Sequence, residues 1–291
     1  MGLLLRRGYI RNSEILISIG RKFRNRAHPF ERENSNIETF EEWEYRKAKG
    51  TLSYFSNQID LENAFREANI LDIGCGGGGK TAYIAKNYKV EKIYGIDLST
   101  DFIQKAQEFS KSLDLKNIEF LVCNAENLPF PDESIDFAIM FDTFEHLKNP
   151  ESVLKEIKRV LKVGGEVLIS FPPYYHPYGA HMNDLIPLPW IHLFFDESSI
   201  AEAYWVLSFL RSDGEMRRNL KISKANNGKF IISYINKMTI RKCKSILKAV
   251  DLRLKYFKLI PLRKFFYPLY GIKIFDELIT RNCVILLKKE D

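Results

Sequence analysis

The chain has 291 residues, 45% of them apolar and 28% charged, enough for one large α/β domain with elaborations and too ordinary in composition for a fibrous repeat or a disordered tract. Lysine and arginine exceed the acids by 44 to 37, a formal charge of +7. The surplus gathers from Lys237 to Lys273, where Asp251 is the only acid. That density fits a solvated helix face with a lysine-guarded strand edge, or contact with something anionic such as a membrane leaflet, a phosphorylated substrate or RNA. Cys75, Cys123, Cys243 and Cys283 form no C-x-x-C pair, the usage of a reduced cytoplasm. Met1 to Arg7 holds too short an apolar run for a signal peptide, and Arg6 spoils a myristoylation pattern. Leu185 to Phe195 stops short of the roughly 18 residues that span a bilayer. The expected location is the cytoplasm, with peripheral membrane contact left open.

Residues 1–66 read as an N-terminal helical segment. From Glu38 to Phe55 the residues Phe40, Trp43, Ala48, Leu52 and Phe55 recur near helical spacing, which predicts a helix over the edge of the core. Across 67–171 strands and helices alternate: strands at 69–74, 92–97, 118–123, 135–142 and 166–171, helices at 80–88, 99–113 and 149–161. Short runs of Ile, Leu and Val between amphipathic segments predict a doubly wound parallel sheet, with ligands at the carboxyl ends of its strands. Ser99 and Asn149-Pro150 supply helix starts, and Gly164-Gly165 a helix stop. After the fifth strand, 172–236 opens with Pro172-Pro173-Tyr174-Tyr175-His176-Pro177-Tyr178, continues through His181 to Asp184, and is predicted to form a substrate lid. A helix is expected at Ser198 to Leu210. Within 237–291 the core resumes, with a helix at 239–249, a strand at 252–260, a Pro-and-aromatic insertion at 261–280 and a last strand from Asn282 to Lys288.

The richest stretch is Ile70 to Thr81, an apolar run ending in an acid and followed by five glycines within six positions. Two chemistries fit it. Gly74 through Thr81 spells the phosphate-loop pattern G-x-x-x-x-G-K-[ST], with Asp142 available as a later strand-end acid. Asp72-x-Gly74-x-Gly76-x-Gly78 instead fits the loop that holds S-adenosylmethionine, whose ammonium Asp72 would hold directly or through water. Asp97, about 20 residues on, stands where an acid binds ribose hydroxyls, and Asn124 to Glu126 where polar groups read an adenine edge.

Leu71 to Gly78, Gly95 to Ser99, Asn124 to Phe130, Ser134 to Ala138, Phe144-Glu145-His146-Leu147 and Leu161 to Glu166 stand in the order and spacing of class I S-adenosylmethionine-dependent methyltransferases. Over residues 68–171 the chain resembles the type 11 group of that family, which includes quinone C-methyltransferases. The resemblance implies a seven-stranded Rossmann-like sheet whose last strand is antiparallel. It also implies a cofactor set of Asp72, Gly74, Cys75, Gly76, Gly78, Asp97, Leu98, Asn124, Ala125, Glu126 and Phe141. In related folds a segment such as Glu38 to Phe55 often covers the cofactor, which would bring Tyr45 and Arg46 to the methionine carboxylate; a packed aromatic stripe with exposed charges is the alternative. Asn124 departs from the aspartate common in such families, and an amide accepts from the adenine amino group only through its oxygen.

Methyl transfer from a sulfonium asks the protein to align nucleophile and methyl, exclude water and, for O or N acceptors, remove a proton. His176 and His181 are the expected bases, with Tyr174, Tyr175 and Tyr178 shaping an acceptor pocket and His146 nearer the cofactor. His176, His181 and Asp184 have the right types for a metal set, but the prolines around them give no helical register, and no metal is expected. The expected acceptor is a small or lipid-linked molecule. RNA is the alternative drawn from the basic stretch, though Ser170-Phe171-Pro172-Pro173-Tyr174 lacks the leading amide of a base-methylation motif. A phosphate-loop ATPase using Lys80, Thr81 and Asp142, and a non-catalytic cofactor-binding subunit, complete the alternatives.

Overall fold

The computed structural model describes residues 11–23 and 39–290. The leader reading of Met1 to Arg7 therefore lies outside the described residues. The chain divides into two units, Asn34–His176 with Lys237–Asp291, and Met1–Glu33 with Pro177–Asn236. The N-terminal segment read as one piece is thus shared between them, and the inserted unit starts at Pro177 where the sequence reading began it at 172.

The larger unit is an α/β sandwich. In chain order it holds α1 (Phe40–Leu52), β1 (Asn69–Ile73), α2 (Gly79–Asn87), β2 (Lys92–Asp97), α3 (Thr100–Ser112), β3 (Ile118–Val122), β4 (Ile135–Phe141), α4 (Pro150–Val160), β5 (Leu161–Phe171), α5 (Ile240–Ala249), β6 (Arg253–Pro261), α6 (Lys273–Ile279) and β7 (Thr280–Lys288). Its sheet runs β3-β2-β1-β4-β5-β7-β6, with β1 to β5 parallel and β7 antiparallel to both neighbours. Successive strand residues point to opposite faces. Leu71 and Ile73 accordingly enter one buried cluster with Ile157 and Leu287, while Ile70 enters another with Phe55, Phe65 and Ile84. Chain order reverses between β1 and β4, which opens the crevice where such sheets take ligands.

Helix starts follow local chemistry. Thr39 accepts from Glu42 N while Glu42 returns a bond to Thr39 N at 2.7 Å, a capping box ahead of α1. Ser99 caps α3 through Phe102 N. α4 starts at Asn149-Pro150 as expected, with Asn149 in the N-cap position making no side-chain cap bond while its Nδ2 donates to both oxygens of Glu126. One expectation needs correcting. Gly164-Gly165 is not a helix stop: α4 ends at Val160, and the glycines lie within β5, where Gly164 takes φ +81° beside a register shift against β4.

In the other unit the helix Asn12–Lys22 packs on the helix Glu197–Ser208, and Gly20 permits the approach, since a Cβ there would lie 2.8 Å from the Leu185 carbonyl. A two-stranded hairpin, Ile222–Lys224 with Phe230–Ile232, went unread in the sequence. Asp184 is buried, accepting from Tyr204 Oη at 2.9 Å and pairing with Lys221 at 3.1 Å and with Arg217. Both its oxygens are taken, which removes it from the metal set considered with His176 and His181.

Candidate functional site

Three strand tips converge at the carboxyl edge of the sheet: the glycine turn after β1, Asp97 ending β2, and Asp142 to Glu145 after β4. The turn needs glycine for stated reasons. Gly74, Gly76 and Gly78 hold φ of +70°, +54° and +77°, the left-handed region. A Cβ on Gly74 would fall 2.7 Å from Thr143 Oγ1, and one on Gly78 2.7 Å from Ala106, whereas one on Gly76 would meet nothing within 4 Å. Among the described residues, Gly76 is therefore the point of the turn that faces open space.

Four amides of this turn, those of Gly74, Cys75, Gly76 and Gly78, are paired within the protein. Gly74 N and Cys75 N both donate to Ile96 O, at 2.8 and 3.0 Å, and Gly78 N donates to Cys75 O at 3.0 Å. Gly76 N donates to Asp97 Oδ2 at 3.1 Å. A phosphate cradle needs such N–H groups converging on the ligand. Lys80 is also committed, its Nζ lying 2.9 Å from Glu44 Oε1 and 3.2 Å from Asp142 Oδ2, and these two carboxylates raise its pKa against the effect of burial. Thr81 Oγ1 donates to Asp72 Oδ2 at 2.6 Å, where a phosphate loop would aim it at Mg²⁺. Lysine and second acid of the phosphate pattern thus pair with each other, and the threonine pairs with Asp72.

Asp72 is buried, and burial raises its carboxyl to about 7 in spite of the Thr81 hydrogen bond and the nearby Lys80 charge; Glu44 and Asp97 push the same way as burial. Asp97 is likewise raised by burial, although Ser99 N, 2.9 Å from Oδ1, and Gly76 N oppose the shift. Glu145 is the extreme case. It is buried, neither oxygen has a side-chain hydrogen-bond partner among the described residues, and burial together with Asp142 holds its carboxyl well above the usual range. Its Oε1 lies 3.8 Å from His146 Nε2. Glu44 and Asp142 hold the lysine, Asp72 stands near it and Asp97 ends the neighbouring strand, a set of acids that favours a cation and repels a polyanion, while the raised Glu145 carboxyl adds little charge.

The remaining expected residues divide. Leu98 is exposed beside Asp97 and offers an apolar face. Asn124 Oδ1 accepts from Glu126 N at 3.0 Å, leaving one lone pair of that oxygen, and Glu126 is held by Asn149. Ala125 is buried at the turn after β3. Cys75 is buried, and burial, with Asp72 and Asp97, pushes its thiol well above the ordinary value, so it serves through its backbone and not as a nucleophile. Two expectations change. Phe141 turns its ring into the core against Phe55, centroids 5.9 Å apart, because that face of β4 is covered. Tyr45 packs edge-on against Tyr83 and Phe109 and accepts from Asn87 Nδ2 at 3.3 Å, so it is part of the packed stripe. Glu44, its neighbour, reaches the turn to hold Lys80, and Glu41 on the same helix lies against Gly77 and Gly79; no sequence signal marked either. His176 closes the larger unit, while His181, with φ +56°, sits in the other, where its carbonyl accepts from Lys221 Nζ at 2.8 Å.

Residues 71–169 match the model of the methyltransferase domain family. Phosphoethanolamine N-methyltransferase 3 of Arabidopsis thaliana is 33% identical over 120 residues, covering 41% of this chain and 24% of that protein. Demethylmenaquinone methyltransferase of Listeria monocytogenes is 28% identical over 137 residues, covering 45% of this chain and 58% of that one. The chain therefore spans less than two thirds of the length of these curated relatives. The PH0226 protein of Pyrococcus horikoshii OT3 shares the fold, with a TM-score of 0.52 at 19% identity over 94% of this chain and 99% of that one.

Proposed function

We propose that this chain, whose core is a class I S-adenosylmethionine-dependent methyltransferase domain, moves a methyl group to a small-molecule or lipid-linked acceptor. The observation that carries this reading is the pairing of Lys80 with Glu44 and Asp142 and of four turn amides inside the protein, beside acids that suit a cation. When bound, the sulfonium supplies an already activated methyl group. The chain's own part is to hold and orient. Asp97 is set to take ribose hydroxyls with its spare acceptor capacity, Leu98 to cover the base, Asn124 to Glu126 to read its edge, and Gly76 to let the nucleoside lie against bare backbone. Asp72 acts from beneath the turn through its charge, which is fully developed only once a cation is near.

His176 and His181 are proposed as the groups that take the acceptor's proton, and the Tyr174 to Tyr178 segment as acceptor-binding. The likeness to demethylmenaquinone methyltransferase supports the quinone-type subgroup, and the phosphoethanolamine N-methyltransferase match supports an amine acceptor. Titration calorimetry tests the reading. S-adenosylmethionine should bind with heat and Mg-ATP should not, and the opposite preference would end it. In an acceptor screen, His176→Ala and His181→Ala should lower kcat by about 10²-fold or more with cofactor affinity kept. Unchanged turnover in both would remove the histidines from the chemistry.

A further inference from the structure

We infer that the insertion between β6 and β7 is a docking surface for an anionic membrane leaflet. Phe265 is 72% exposed and Ile274 65%, and Ile272 and Phe275 are exposed beside them in sequence. Four large apolar side chains facing water within eleven residues contrast with β7, which buries Val284 to Leu287. Isolated exposed apolar residues are ordinary, but a run of them in one short insertion marks an interaction surface.

The charges sort in the same direction. Arg263, Lys264 and Lys273 are exposed. The segment's two acids are drawn inward: Asp276 Oδ1 accepts from Gly271 N at 3.0 Å, and Glu277 accepts from Ile240 N and Arg241 N, each at 3.0 Å, capping the start of α5. With its carboxylates spent on backbone donors, the insertion presents cations and hydrocarbon outward. It is also tied at its base, by Leu262 N to Ile279 O at 2.8 Å and by Tyr270 Oη, 3.2 Å from Thr280 Oγ1. Basic side chains interleaved with Phe and Ile match the headgroup boundary of an anionic bilayer, where apolar groups sink to the acyl region and ammonium groups meet phosphate. Isoleucines have no base to stack on and no edge to read, which favours lipid over RNA.

The proposal is independent of methyl transfer, and its test contains no methyl donor. Full-length protein is sedimented with vesicles of phosphatidylcholine containing phosphatidylserine, and with vesicles of phosphatidylcholine alone. Binding is expected to the former and should weaken as salt rises. Lys264→Ala with Lys273→Ala should weaken it about 30-fold, or about 2 kcal/mol. Phe265→Ser with Ile274→Ser should bring it to the level seen with phosphatidylcholine alone. All four side chains are exposed, so the melting temperature of each variant should match that of the parent. Failure to bind the anionic vesicles at low salt, or binding that ignores both pairs of substitutions, overturns the inference. Retention on RNA without retention on vesicles overturns it in favour of a nucleic-acid partner.

Discussion

Lys80→Ala separates the two ways of reading the glycine turn. The ammonium lies 2.9 Å from Glu44 and 3.2 Å from Asp142, with side-chain exposures of 17% for Lys80, 12% for Glu44 and 49% for Asp142. Taking it away leaves Glu44 charged and nearly cut off from water, whereas Asp142 is hydrated at small cost. Removing one partner of a fully buried pair costs about 3–5 kcal/mol. The remaining exposure of Glu44 screens part of that, so about 2–3 kcal/mol is expected, or roughly 5–10 °C in melting temperature. Adding Glu44→Gln should restore much of the loss, because an amide needs no counter-charge. The folded pKa of Lys80 is raised, so its contribution is complete below the ordinary 10.5 and is lost only as pH climbs beyond that range. The destabilisation should accordingly be the same from about pH 6 to pH 9. Scanning calorimetry gives the stability and titration calorimetry the binding. S-adenosylmethionine affinity should change by no more than a few-fold, since Lys80 faces its carboxylates. An unchanged melting temperature together with abolished Mg-ATP binding would refute the argument.

Gly76→Ala and Gly79→Ala should fail in opposite ways. The first places its Cβ in open space at φ +54°, costing about 1 kcal/mol of stability but far more in cofactor affinity; the second has no positive φ, and its Cβ would fall on the Glu41 carbonyl, so it should destabilise by about 1–3 kcal/mol through displacement of α1. Asp72 has a folded pKa raised from 3.8 to about 7, so the native state holds the extra proton and stability falls as pH rises between those values. Asp72→Asn should flatten that fall in pH-dependent melts, and in the parent a bound cation should release a proton and gain affinity as pH rises through 7. Asp184→Ala, which strands Arg217 and Lys221, should cost the smaller unit about 3–5 kcal/mol. Burial raises the Asp184 pKa, but Lys221 and Arg217 more than offset it, so in the parent this contribution is lost as pH falls below the ordinary carboxylate range.

The parallel core was legible because its physics is local. The inner strands β1 and β4 are short apolar runs buried on both faces, and the helices between strands carry one apolar stripe each, so the elements ending at Asp97 and Phe141 fall within a residue of the reading. Where two signals competed, the sequence misled. Gly164-Gly165 resembles a helix terminator, yet it serves a bend within β5, since strand pairing with β4 and β7 had already claimed its neighbours. The Ile222–Lys224 hairpin is too short and too mixed in composition to announce itself.

The site shows why a motif names residues without naming their direction. Gly74 to Thr81 satisfies the letters of a phosphate loop, and nothing within those eight residues says whether their N–H groups face a ligand or the protein. The answer comes from elements remote in sequence: Ile96 and Asp97 on β2 receive three of the amides, Glu44 on α1 and Asp142 after β4 receive the lysine, and Asp72 receives the threonine. Each of these acceptors is a carboxylate or carbonyl, so the same contacts that engage the lysine, the threonine and these amides also bring acids to the strand edge. Sequestration of donors and preference for a cation are one arrangement. A variant that frees Lys80, such as Glu44→Gln with Asp142→Asn, should therefore weaken S-adenosylmethionine binding by adding net positive charge while gaining affinity for inorganic triphosphate, both read by titration calorimetry. Loss of the first without the second would show that the amides, still turned to Ile96 and Asp97, are the stronger bar to phosphate.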